Sequence, residues 1–197
     1  MLAVRNTICV LLTSIAITLP GLVQAEELPG KIIVATIDRS LKVLERPDLQ
    51  GFDKVLERRE ELWSVLEPIF SFRQIAQRSL GHHWKDRTPE EKKEFIKVFV
   101  KILKDTYLSK TDAYSGEEIV YLREKTKGKR SKVQTNIVLT NGKKVSVDFN
   151  MFNTGKSWKI YDIIIEGVST VGNYRSQFNS ILGESSFEEL MVKLREK

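Results

Sequence analysis

Asn141-Gly142-Lys143-Lys144-Val145-Ser146-Val147-Asp148-Phe149-Asn150-Met151 is the stretch on which the fold turns. Asn-Gly between apolar runs is the strongest short-range hairpin signal, because both residues tolerate the backbone that a tight turn needs. Beyond it the side chains alternate: Val145, Val147, Phe149 and Met151 share one face, and Ser146, Asp148 and Asn150 the other. A period of two with one apolar face reads as a half-buried strand. Upstream, Lys132–Thr140 reads as the strand entering the turn and Glu117–Arg123 as the one before it. Downstream, Asn153-Thr154-Gly155-Lys156 turns the chain into a further strand, Ser157–Glu166. Strands joined by tight turns pair antiparallel, so the expectation is a four-stranded antiparallel meander.

From about residue 29 to 113 the period is helical instead. Ile33, Ile37, Leu41 and Leu44 recur on one stripe, which Arg46-Pro47-Asp48 ends. A second helix is expected over Asp53–Glu67 with Leu56, Leu62, Trp63 and Leu66 on its buried side; Phe70, Phe72, Ile75 and Leu80 follow Pro68 in a short helical segment. Thr88-Pro89-Glu90-Glu91 opens a long helix: threonine caps, proline takes the first position and Glu91 completes a capping box. Phe95, Phe99, Leu103 and Tyr107 lie along it, and Ile96 and Val100 widen its stripe. Two helices close the chain, one around Tyr174–Leu182 and one opened by Ser185 with Glu188 at the box position. The fold class is therefore α+β, an antiparallel sheet with helices packed on its apolar face.

Residues 1–25 differ in kind. Arg5 is the only charge, an apolar run extends from Ile8 to Leu19, and Val23-Gln24-Ala25 offers small residues for cleavage. That is the layout of a secretory signal peptide, with a run too short for the roughly 20 residues of a spanning helix. Cleavage after Ala25 leaves a single domain, 26–197, without Cys9, the only cysteine. The mature chain then has no disulfide and no thiol chemistry. It carries 31 basic against 26 acidic residues, densest in Lys125-Thr126-Lys127-Gly128-Lys129-Arg130-Ser131-Lys132. No aromatic residue interrupts that run, which argues against nucleic acid; it reads as a solvated loop between strands, or as attraction to acidic head groups or an acidic protein.

Signs of catalysis are few. His82-His83 is the only histidine pair, and adjacent residues on a helix point about 100° apart, so the two do not share a metal as an i,i+4 pair does. There is no nucleophile elbow and no phosphate-binding glycine loop. Asp162 and Glu166 fall on one strand and offer the carboxylate pair of a small hydrolase; alternatively Glu166 pairs with Arg175 across the following turn. No cofactor is called for. The chain is rich instead in large apolar side chains on both layers, an ordinary core or a lined cavity.

Trp158-Lys159-Ile160-Tyr161-Asp162-Ile163-Ile164-Ile165-Glu166-Gly167-Val168-Ser169, followed by Asn173-Tyr174-Arg175-Ser176-Gln177-Phe178, closely resembles the signature of the MlaC family, also called toluene-tolerance auxiliary proteins. Leu80-Gly81 with Trp84, the capped helix with Phe95 and Phe99, and Val147-Asp148-Phe149 extend the resemblance to about residues 30–195. Thr170, Gly172 and His83 depart from the pattern. The resemblance implies a periplasmic phospholipid shuttle, not an enzyme, that maintains outer-membrane lipid asymmetry. It further implies a pocket between sheet and helices, with bound phospholipid as cargo. The implied partners are an outer-membrane lipoprotein–porin complex and an inner-membrane ABC transporter with a ring-shaped periplasmic component. A related branch handles hopanoids. The expected lining is Phe70, Phe72, Ile75 and Leu80; Phe95, Phe99, Leu103 and Tyr107; Val147, Phe149 and Met151; Trp158, Ile163, Ile165 and Val168; and Tyr174 and Phe178.

Overall fold

The alternating stretch forms the middle of a sheet. In the computed structural model, which describes residues 28–196, the strands are β1 (Glu118–Lys127), β2 (Arg130–Val138), β3 (Lys144–Asn153), β4 (Trp158–Ile165) and β5 (Val168–Ser169). They pair antiparallel in sequence order, β1-β2-β3-β4-β5. The expected signal segment, 1–25, lies outside the described residues. At the Asn141-Gly142 turn, Gly142 takes φ +81° and the Asn141 side chain accepts a hydrogen bond from the Lys143 N–H.

Three expectations about the sheet need correction. The meander has five strands rather than four, because Glu166 and Gly167 both adopt positive φ and fold Val168-Ser169 back onto Ile164-Ile165. The basic run is not a loop: β1 continues to Lys127 and β2 begins at Arg130, leaving Gly128-Lys129 as the turn. Glu166 does not pair with Arg175; its carboxylate accepts from the Ser146 N–H and so ties the β4–β5 turn to β3.

Among the described residues the sheet is accompanied by six α-helices: α1 (Pro29–Leu44), α2 (Val55–Leu66), α3 (Phe72–Leu80), α4 (Pro89–Thr111), α5 (Thr170–Glu184) and α6 (Phe187–Arg195). The capping box of α4 is complete, with the Glu91 N–H donating to Thr88 Oγ1 at 3.1 Å and the Thr88 N–H to Glu91 Oε2 at 2.7 Å. The cap of α6 is Ser186, one residue later than expected, and its hydroxyl accepts from the Glu189 N–H. Leu56 is the other displaced residue. Six positions before Leu62, it falls about 120° off the buried stripe, and it stands 74% exposed. Arg58 sits on the stripe in its stead, buried, with its guanidinium donating to the Leu49 carbonyl at 2.8 Å.

Apolar residues collect in three clusters rather than one. The largest lies among α3, α4, α5 and α6 and includes Leu80, Phe95, Phe99, Tyr174 and Phe178. A second lies under the sheet, with Ile33, Ile69, Val133, Met151, Trp158 and Ile160. The third joins α1, α2 and α4 through Val43, Leu49, Leu62 and Leu108. The Leu80-Gly81 and Tyr174-Arg175 pairs meet where α3 ends. Arg175 lays its side chain against Gly81 and its Nε donates to the Arg78 carbonyl at 2.6 Å, a cation on the carbonyl end of a helix.

Gly81 itself holds φ +59°, ψ −127°, a conformation that side chains with a Cβ rarely adopt. Gly81→Ala is expected to lower stability by about 1–3 kcal/mol, read as a lower urea midpoint with an unchanged slope. An unchanged midpoint would show that the backbone relaxes there without cost.

Candidate functional site

The three clusters do not merge, and a cavity of about 270 Å³ lies where they fail to meet. An apolar cavity of about 150 Å³ stays dry and accepts benzene, so this one has room for a larger apolar group. The helical stripe of α1 forms one wall through Ile33, Ile37, Leu41 and Leu44, and Leu62, Trp63 and Leu66 of α2 form another. Leu103, Tyr107 and Leu108 come from the C-terminal half of α4. The sheet contributes Phe149 of β3 and Ile160 and Ile163 of β4, with Phe149 and Ile163 directly opposite across the strands. Trp63 stacks on Phe72, and Phe72 on Phe70, with ring centroids 5.4 and 5.6 Å apart, so one side of the wall is a continuous aromatic row.

Polar groups in the wall are accounted for. Thr36 Oγ1 donates to the Ile32 carbonyl at 2.8 Å within its own helix. The Tyr107 hydroxyl meets Thr170 Oγ1 at 2.9 Å and links α4 to the start of α5, which gives the departure at Thr170 a local reason. Asp162 is buried; its carboxylate accepts from Ser169 Oγ at 2.7 Å and from the Val171 N–H at 3.0 Å. Ser169 caps α5 by accepting from the Gly172 N–H, so Asp162 sits on the positive end of that helix. This arrangement is structural: one carboxylate of the expected hydrolytic pair is committed to α5 and the other, Glu166, to Ser146.

Of the expected lining residues, Phe70, Phe72, Ile75, Leu103, Tyr107, Phe149 and Ile163 lie on the cavity wall. The others lie elsewhere. Leu80, Phe95, Phe99, Tyr174 and Phe178 fill the helical core, with Phe99 edge-on to Tyr174 at 4.8 Å and to Phe178 at 5.4 Å. The physical reason is the length of α4: its N-terminal half packs on α6 and α5, and only its C-terminal half reaches the cavity. Met151 and Trp158 are buried in the cluster under the sheet. Val147 is buried and Ile165 half-buried, both away from the wall, and Val168 is exposed on the β4–β5 turn. The contributions of α1 and α2 were missed. Their apolar stripes were visible in the sequence, but nothing in a stripe distinguishes a core contact from a cavity wall.

His82 and His83 form a turn with ring centroids 3.8 Å apart, and burial together with the neighbouring His82 holds the His83 imidazolium below its ordinary pKa. Among the described residues no three His, Cys, Asp or Glu side chains gather to hold a metal, and no helix is long and apolar enough to cross a membrane.

A family model described as MlaC protein matches residues 34–196. The chain belongs to the MlaC family. An MlaC relative, the intermembrane phospholipid transport system binding protein of Haemophilus influenzae, is 25% identical over 136 residues. That alignment takes in 66% of this chain and 64% of the relative, so the chain spans just under two thirds of the relative's length. The fold is similar to that of the phospholipid-binding protein from Ralstonia solanacearum, solved in complex with a phospholipid. The TM-score is 0.74 at 22% identity, over 85% of this chain and 94% of that one. The α+β architecture of this MlaC-family chain is thus shared almost throughout.

The separation of core from cavity wall has a measurable consequence. Phe99→Ala removes a ring packed on all sides and is expected to cost about 3–5 kcal/mol. Ile163→Ala removes atoms that already face open space and is expected to cost clearly less than the roughly 2–5 kcal/mol of a fully packed isoleucine. Urea unfolding of the two variants decides the point: equal losses would place Ile163 in a packed core.

Proposed function

We propose that this protein is a periplasmic lipid carrier that holds phospholipid acyl chains in the cavity between sheet and helices. It exchanges lipid between the outer and inner membranes and so maintains outer-membrane lipid asymmetry. The observation that carries this reading is the cavity itself, predominantly apolar and bounded by three separate clusters. Membership of the MlaC family supports it, as do the phospholipid-binding relative and structural neighbour. The cavity residues Phe70, Phe72, Ile75, Leu103, Tyr107, Phe149 and Ile163 then contact acyl chains, and α1 and α2 complete the enclosure.

Transfer energetics explain why such a carrier needs no catalytic group. Each buried CH₂ is worth about 0.8 kcal/mol, so a chain of roughly 16 carbons gains on the order of 12 kcal/mol over water. A bilayer offers the same chain similar burial, so moving it from membrane to cavity is nearly neutral. Direction is then set by partners, here an outer-membrane lipoprotein–porin complex and an inner-membrane ABC transporter. Lys125, Lys127, Lys129 and Arg130 support a docking role: they stand exposed at the tip of the β1–β2 hairpin and, among the described residues, make no ion pair.

Mass spectrometry of protein purified from periplasm without detergent tests the reading, under native and denaturing conditions side by side. The expected result is a mass difference matching phospholipid, lost in Phe149→Asp because an unpaired charge in an apolar cavity costs several kcal/mol. A hopanoid mass would keep the carrier and change its cargo. A folded protein without any bound lipid, from its own host as well as from a foreign one, would refute it.

A further inference from the structure

Among the described residues, Lys104 is the only cation in the cavity wall. It follows Leu103 and precedes Tyr107 on α4, so its aliphatic stem runs along the apolar surface. The ammonium emerges at the boundary with water. It lies 5.5 Å from the centre of the Trp63 ring and 2.7 Å from each carboxylate oxygen of Glu60. The Lys104 side chain is only 23% exposed, whereas that of Glu60 is 69% exposed. The acidic side chain in the wall, Asp162, is engaged by α5 and Ser169.

These positions differ in what they permit. An ammonium has three donors, and an exposed carboxylate partner contributes roughly 0–1 kcal/mol, so exchanging that partner for another anion costs little. A phosphodiester offers a negative charge and several acceptor oxygens. Were the acyl chains to fill the cavity, the phosphate next to them would come to the rim, where Lys104 stands on its aromatic support.

We infer that Lys104 is the anchor for the phosphate of a bound glycerophospholipid, and that Glu60 is the displaceable partner whose place the phosphate takes. This rests on the carrier reading and adds to it a selectivity: phospholipid over an uncharged diacyl lipid with identical chains. Lys104 reads the phosphate and the cavity reads the chains. Tethering to buried chains raises the effective concentration of that phosphate far above that of free phosphate.

The test is competition between two lipids. Purified protein is incubated with vesicles containing equal amounts of phosphatidylglycerol and diacylglycerol of the same chains, re-isolated, and its lipids quantified by mass spectrometry. The wild type is expected to favour phosphatidylglycerol by about tenfold, the scale of one charge-assisted hydrogen bond at a partly solvated site. Lys104→Met keeps the apolar stem and should bring the ratio close to one at unchanged total lipid, Lys104→Arg should retain the preference, and Glu60→Gln should raise it. A thermal melt confirms that each variant is folded. A Lys104→Met protein with the wild-type ratio overturns the anchor and leaves the carrier intact. A wild type that takes up neither lipid overturns the carrier reading itself. Inorganic phosphate alone separates the sources: a wild type that binds free phosphate in a Lys104-dependent way yet shows no preference between the two lipids would assign Lys104 to free phosphate and overturn its assignment to the lipid.

Discussion

Asp162 is the point at which sheet, cavity and helical core meet. It leaves β4 on the cavity side and accepts hydrogen bonds from the hydroxyl that caps α5 and from a backbone N–H of that helix. That contact ties the sheet to the helical core, because α5 carries Tyr174 and Phe178 into the aromatic cluster with Phe95 and Phe99. Burying a carboxylate is costly unless donors meet it, and leaving a buried N–H without an acceptor costs about 1–3 kcal/mol. Each group therefore holds the other in place. A carboxylate that looked like chemistry on paper turns out to be the clasp between two layers.

Arg175 and Arg58 repeat the device at other junctions. Arg175 ties α5 to the end of α3 over a glycine, and Arg58 ties α2 to the loop after α1, where Asp112 at the end of α4 also lies within 3.7 Å. Both junctions are thus closed by a side chain from a neighbouring helix. The polar contact between α2 and α4 at the cavity, Lys104 with Glu60, lies at its boundary with water, and the wall inside it is predominantly apolar.

The alternation around Val147 and the capping box at Thr88 are local codes, and both were readable because each needs only a few neighbouring residues. The fifth strand escaped because its signal is a two-residue turn, Glu166-Gly167, in which a glutamate adopts the left-handed conformation only with its carboxylate fixed to Ser146. Leu56 was misplaced for a related reason: apolar character suggested burial, while helical spacing placed Arg58 on the inner stripe. The cavity was half legible. Phe149 and Tyr107 were expected in it and are there, but Phe99, one and two turns before Leu103 and Tyr107 on the same stripe, faces other helices. Which half of a long stripe lines a cavity and which packs on helices depends on contacts distant in sequence, and no local pattern reports it.

The division of apolar residues into three clusters separates two demands that a single core would set against each other. A packed core is most stable when nothing in it changes, whereas a container must tolerate being filled and emptied. Here most of the aromatic packing stands beside the container rather than around it, and only a few residues, Ile75, Leu103 and Val171 among them, belong to both. Filling the cavity and unfolding the core can therefore be distinct events, which is what the proposed carrier role asks of the fold.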